Sequence, residues 1–223
     1  MRFIDRLKLT LRQRYLSKRT PVEIFSSYAH KNKWGDKHSL SGKGSNLEAT
    51  ANLRELLPAI LLDLDAQTFL DLPCGDFFWM GHVDLSGVHY LGGDIVPELI
   101  EKNIKLYSAP NIKFQVIDLI RGPIPKADIV FIRDCFVHLS NDHIKAALRN
   151  IVCSDSKWLL TTTFPKTEEN FDILTGEWRA LDLCKPPFSF QEPINLIMEG
   201  QSHVKGQRVD KMIGLWKVSD INT

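Results

Sequence analysis

The run Thr68-Phe69-Leu70-Asp71-Leu72-Pro73-Cys74-Gly75-Asp76, followed 23 positions after Asp71 by Asp94, constrains this chain more than any other stretch. An apolar run ending in an acid, a tight glycine turn, a helix start and a second apolar run ending in an acid together describe a β–α–β unit with parallel strands. Such a unit suits a nucleoside guest. The glycine lets the backbone approach it, free N–H groups at the helix start face it, and the second acid accepts hydrogen bonds from a ribose diol. A pyrophosphate-binding turn carries three glycines. Here Gly75 stands alone in the core of the turn, with Pro73 and Phe77 nearby, so a smaller, phosphate-free nucleoside fits better than a dinucleotide.

The same alternation continues along the chain. Apolar β-rich runs predict strands over 68–73, 88–95, 112–118, 127–133 and 157–163, and over 189–197 and 207–217 after a long connection. Helices are expected near 76–82, from Pro97 to about Tyr107, and over 141–151 with Ser140 or Asn141 as cap. The pattern predicts an α/β fold: a doubly wound, mostly parallel seven-stranded sheet with helices on both faces and a C-terminal antiparallel hairpin. Upstream, Leu53, Leu56, Leu57, Ile60 and Leu61 predict a helix over 47–62, capped by Ser45 or Asn46 and kinked or shortened at Pro58.

Residues 1–20 differ in character. Phe3, Leu7, Leu11 and Tyr15 fall four apart, and the segment holds seven Lys/Arg against one acid. It carries +6, which leaves −5 for the rest of a chain whose net charge is +1. The stripe predicts a basic amphipathic helix that packs on its own domain or meets a membrane surface or a partner, ending at Thr20-Pro21. We therefore divide the chain into a helical extension, 1–33, and a main domain, 34–223.

Several classes are excluded. The near-neutral charge gives no strong nucleic-acid signal. Cys74, Cys135, Cys153 and Cys184 lack the CxxC or Cys/His spacing of a metal site. Without disulfide spacing, a membrane-length apolar run or a signal-type segment, the cytoplasm is the expected location.

With Leu70–Asp76, Gly92-Gly93-Asp94-Ile95-Val96, Ile117-Asp118-Leu119, Asp128–Asp134 and the terminal hairpin in this order, the chain resembles the class I S-adenosylmethionine-dependent methyltransferases over about residues 39–217. It departs from the family's glycine-rich first motif at two of three glycines. The resemblance implies S-adenosylmethionine as cofactor and a binding set of Asp71, Gly75, Asp76, Asp94, Ile95, Asp118 and Leu119. Asp71 orients the methionine portion, Asp94 takes the ribose hydroxyls, Ile95 packs on the adenine or ribose, and Asp118 accepts from the adenine amino group. Each has a plainer use: Asp71 in its turn, Asp76 or Asp94 as a helix cap, and Asp118 as an exposed turn acid.

His138 and Asp134 follow the fourth strand, where the resemblance implies that the transferred methyl faces the substrate. His138 is the candidate base for a hydroxyl acceptor, or else a structural histidine among Phe136, Val137 and Leu139. Arg133 and Asp134 alternatively form an ion pair. The insertion 164–188 is long enough for a substrate loop, with Trp178 to stack on an acceptor and Arg179 to pair with it. The Gly/Ser loop at 41–46 either closes over the cofactor carboxylate or acts as a linker. The expected function is methyl transfer to a small-molecule or sugar-like hydroxyl. The alternatives are a non-catalytic binding subunit of the same fold, or a nucleic-acid or protein methyltransferase that uses the basic helix.

Overall fold

The computed structural model describes residues 3–204 and 207–222, with side chains over 10–200 and 209–222. Seven strands form one sheet: β1 Thr68–Asp71, β2 His89–Asp94, β3 Ile112–Val116, β4 Ile129–Ile132, β5 Trp158–Thr163, β6 Asn195–Val204 and β7 Gln207–Lys217. Their spatial order is β3-β2-β1-β4-β5-β7-β6. The first five run parallel, and β7 lies antiparallel between β5 and β6. The strand order changes direction between β1 and β4. Chain leaving their carboxyl ends therefore diverges to opposite faces and opens a crevice there.

Five α-helices accompany the sheet among the described residues: α1 Phe3–Leu16, α2 Pro21–His30, α3 Ala51–Asp63, α4 Pro97–Tyr107 and α5 Asn141–Cys153. Alternation along the central strands sorts the core. Leu70, Val130, Ile132 and Leu159 point to one face, where Ile144, Leu148 and Ile151 of α5 cover them. Phe69, Phe131, Leu160 and Ile213 point to the other, against Leu53, Leu57 and Leu61 of α3 and Ile100 of α4. All four residues of β4 are 0% exposed, as a strand covered on both faces requires.

Four local expectations are corrected. No α-helix follows the glycine turn; there is only a 3-10 turn at Met80–His82. Phe77 adopts φ +58°, a conformation a helix does not contain, and its ring packs on Tyr90 and Phe114 in the core. Thr20-Pro21 starts a helix as well as ending one. Thr20 and Glu23 form a reciprocal capping box with Pro21 in the first turn of α2. The helix expected over 47–62 is α3, which runs through Pro58 without ending there and has no side-chain cap at its N-terminus. The first hairpin strand starts at Asn195 rather than at 189.

In the N-terminal helix, Leu11 is exposed and Tyr15 partly buried; Phe3 and Leu7 lie outside the described side chains. What docks is its end. Leu16 packs with Ile24 and Tyr28, and Tyr28 donates to the Gly176 carbonyl at 2.9 Å.

Neither glycine of β2 has room for a side chain, and Gly93 has the least. A Cβ at Gly93 would stand 2.3 Å from Leu72 Cδ2 and 2.7 Å from Ile117 Cδ1. Gly93→Ala is expected to lower stability by about 1–3 kcal/mol through overpacking. A urea midpoint equal to that of the unaltered protein rules this out.

Candidate active site

A cavity of about 640 Å³ opens over the carboxyl ends of β1, β2 and β4, within the usual range for a small-molecule site. Asp71 to Gly75 form its floor, and Gly93, Asp94, Ile95 and Val96 form the wall after β2. Ile117, Asp118 and Leu119 line it after β3, and Arg133, Asp134, Cys135 and His138 after β4. Chain from the N-terminal side closes it, through Phe25 and Ala29 of α2, Trp34, and Leu40 to Ser45.

Asp71 and Asp94 stand at the ends of adjacent strands, both almost fully buried. Asp71 accepts from the Tyr90 hydroxyl at 2.7 Å. Burial pushes its carboxyl up to about 7 in spite of that bond. Asp94 accepts from the N–H of Gly75 at 3.0 Å and of Val96 at 2.9 Å. Burial raises it to about 6. The carboxylate after β2 thus pins the glycine turn after β1. Gly75 adopts φ +56°, and a Cβ there would meet Ser41 Oγ at 2.1 Å. The close approach at this glycine is therefore made by the 39–41 segment. Phe77 and Phe78 are not in the cavity wall.

Asp76 is turned away from ligand contact. Its carboxylate accepts from Ser39 Oγ at 3.0 Å and from the Leu40 N–H at 2.6 Å, and it does not line the cavity. It anchors the 39–41 segment instead, and with no α-helix after it, it is not a helix cap either. Asp118 lines the cavity, but its Oδ1 accepts from the N–H groups of Ile120 and Arg121 at 2.9 and 3.1 Å. Ile95 and Leu119 contribute apolar surface.

His138 lines the cavity, and its Nδ1 lies 2.8 Å from the Glu177 carbonyl. A carbonyl only accepts, so Nδ1 carries the proton and Nε2 keeps the lone pair. Burial holds this imidazole below its ordinary pKa, hence neutral at pH 7. Asp134 is committed elsewhere. It pairs with Lys211, and with Arg133 at 3.5 Å. Burial opposes ionisation, but these two cations hold the carboxyl at about 2. That is too acidic for it to serve as a base near neutrality.

Trp178 lines the cavity mouth and is 39% exposed. Arg179 does not meet an acceptor. It is 1% exposed, and its guanidinium donates to the carbonyls of Phe136 and Leu139 at 3.3 and 2.9 Å and to Asn141 Oδ1 at 2.9 Å. It ties the insertion to the segment bearing His138.

Two elements escaped the sequence reading. Phe25 and Trp34 enter the site from outside the main domain's motifs, and no local pattern marks them. Glu199 and Lys211 form the second: Glu199 and Lys211 both bond one another and join Arg133 and Asp134 in a buried charged cluster. A signal existed here. Lys211 shares an inward parity with Ile213 and Leu215 on β7, where a cation is out of place unless paired.

Solved structures share this architecture. Magnesium protoporphyrin IX methyltransferase from Synechocystis PCC 6803, solved with bound S-adenosylmethionine, matches with a TM-score of 0.53 over 88% of this chain and 97% of that one, at 13% identity. The methyltransferase domain of bacterial CtHen1 matches with 0.53 over 77% and 100%, at 14% identity. The fold is that of S-adenosylmethionine-dependent methyltransferases. Human N-acetylserotonin methyltransferase, in complex with S-adenosylmethionine, matches with 0.50 at 17% identity over 73% of this chain. The match spans about half (51%) of the human chain. No family model matches the sequence, and no curated protein sequence matches it. Among the described residues no group of side chains is placed to hold a metal ion, and no helix is long and apolar enough to cross a membrane.

Proposed function

We propose that this chain binds S-adenosylmethionine over the ends of β1 and β2 and transfers its methyl group to a hydroxyl of a small-molecule acceptor. The carrying observation is the pair of buried acids, Asp71 and Asp94, on either side of Gly75 in one cavity wall. Neither has a cationic hydrogen-bond partner among the described residues. A ribose diol at Asp94 and an ammonium at Asp71 would add donors to two buried carboxylates that have only neutral ones. Ile95, Ile117 and Leu119 offer the apolar surface an adenine needs, with Asp118 beside them. The residues present therefore fit this cofactor.

When bound, the cofactor supplies a methyl carbon activated by a positive sulfur, so the protein's task is alignment and exclusion of water. His138 takes the acceptor's proton at Nε2, while the Glu177 carbonyl fixes the tautomer. Asp134 holds position through its ion pairs and exchanges no proton. Two of the similar solved structures are methyltransferases named for small acceptors, a porphyrin and N-acetylserotonin, which supports a small molecule.

Calorimetry with S-adenosylmethionine tests this reading, and pH sharpens it. Both acids bind the ligand as carboxylates, so affinity is expected to weaken at least about tenfold from about pH 8 to 5.5, as Asp71 and Asp94 take up protons near 7 and 6. Stability of the free protein runs the opposite way. Groups raised on folding stabilise fully below their unfolded value near 4, and that contribution disappears as pH rises through about 6 to 7. Urea midpoints of the free protein are expected to fall over that window. No binding heat at high micromolar ligand and about pH 8 overturns the assignment.

A further inference from the structure

The aromatic side chains around His138 are not used by the cofactor reading. Trp34 lies 5.8 Å from the His138 ring, centroid to centroid. Trp178 follows Glu177, whose carbonyl holds that imidazole, and stands edge-on to Phe164 at 6.0 Å. Phe25 completes the set, and all four rings line the same cavity as His138. The charged groups on this side, Arg133, Asp134, Glu199 and Lys211, neutralise one another in one cluster. These four carry no net charge between them, and Lys43 is the further cation on the cavity lining.

From this geometry we infer that the acceptor is a planar aromatic ring bearing a hydroxyl, a phenol or hydroxylated heteroaromatic, seated among Trp34, Trp178, Phe164 and Phe25 with its oxygen at His138 Nε2. The inference rests on the methyltransferase reading and narrows its substrate. Aromatic walls reward a flat π-faced guest through offset and edge-to-face contacts. A pyranose meets these four rings only with C–H edges, and its several hydroxyls each need a polar partner that the rings do not supply. Proton transfer favours the same choice. The buried imidazole is a weaker base than an ordinary histidine. A phenol proton, near pKa 10, is far closer in acidity to that imidazole than the proton of an aliphatic alcohol, which is about as weak an acid as water. In the step, the phenol O–H proton passes to Nε2. The oxygen forms its bond to the methyl carbon as the C–S bond breaks, and that bond's electron pair goes to sulfur, leaving the neutral thioether. The imidazolium then gives its proton to solvent.

The test uses the full chain with saturating S-adenosylmethionine. Demethylated cofactor and methylated product are followed by mass spectrometry, with a panel of hydroxylated benzenes, naphthols and indoles beside a matched panel of methyl pyranosides. Turnover is expected with members of the aromatic panel at kcat/KM at least about tenfold above any pyranoside. Trp34→Ala is expected to raise the acceptor KM about tenfold while the cofactor Kd holds, and Trp34→Phe, which keeps a ring and guards against a folding defect, to recover most of it. Cofactor binding with turnover of pyranosides alone, or with turnover of neither panel, overturns the acceptor class and leaves cofactor binding standing. Absence of cofactor binding overturns the parent reading, and the acceptor class falls with it.

Discussion

Asp94→Ala is expected to reduce both cofactor affinity and stability, each by a measurable and separable amount. The affinity loss is about 1.5–3 kcal/mol, the range for a hydrogen bond to a charged group, and titration calorimetry reads it directly. From the sequence alone this residue reads as a ligand contact whose loss spares the fold. Its surroundings say otherwise. The carboxylate is buried and accepts from the backbone N–H groups of Gly75 and Val96. Alanine strands both donors inside the protein at about 1–3 kcal/mol each, so the unfolding free energy is expected to fall by about 2–6 kcal/mol. Asp94→Asn separates the two effects. Its amide oxygen still accepts one backbone N–H, so stability recovers in part, while the charge proposed to grip the diol is gone. Wild-type affinity in the asparagine variant removes Asp94 from the ligand site. Wild-type stability in the alanine variant removes it from the turn.

That double duty shows where sequence reasoning reaches and where it stops. The inner strands β1, β4 and β5 were legible because each is a short run with buried residues on both sides, and the acids at 71 and 94 end β1 and β2. Ser140 as cap of α5 was legible because capping is local. The segment after Gly75 was not. Phe77, Trp79 and Met80 have the apolar character of a helix face, but Phe77 reaches the core only by taking positive φ. Asp76 resembles a cap until the partners of its carboxylate, Ser39 and Leu40, arrive from 36 or 37 positions upstream. Arg179 resembles a free cation until the carbonyls about 40 residues earlier fold around it. In each case the deciding partner is distant in sequence, and no local period encodes it. The basic extension was divided from the domain on composition, yet α2 contributes Phe25 and Ala29 to the cavity wall. Composition reports solvent exposure and is silent on which buried face a helix shares.

The buried cluster on the hairpin side carries the largest expected effect on stability. Arg133 donates through Nε to Glu199 Oε1 at 2.7 Å and through Nη1 to Ser45 Oγ at 3.3 Å, and through Nη2 to the Gly44 carbonyl. Lys211 donates to the same Glu199 oxygen at 2.9 Å and pairs with Asp134. Two cations and two carboxylates thus balance inside the protein. Glu199→Ala removes the anion shared by both cations, leaves Asp134 to compensate the pair, and is expected to cost about 3–5 kcal/mol. Lys211→Met alone unbalances the cluster in the other direction. Combined with Glu199→Ala it leaves Arg133 facing Asp134, one charge of each sign. The double variant is therefore expected to lose about 1–3 kcal/mol less than the sum of the single losses, a coupling that urea denaturation of the four proteins measures. Strict additivity would mean that the four groups do not act as one unit. Acid gives an independent reading. Asp134 is held at about 2, below its ordinary value near 4, so its contribution is complete above about pH 4 and fades as pH falls toward 2. Lys211→Met removes the principal cation responsible, and the acid transition is expected to move to higher pH. Because Arg133 also clamps Gly44 and Ser45 of the cavity wall, Glu199→Ala should weaken cofactor binding from a position on β6 that does not itself line the cavity.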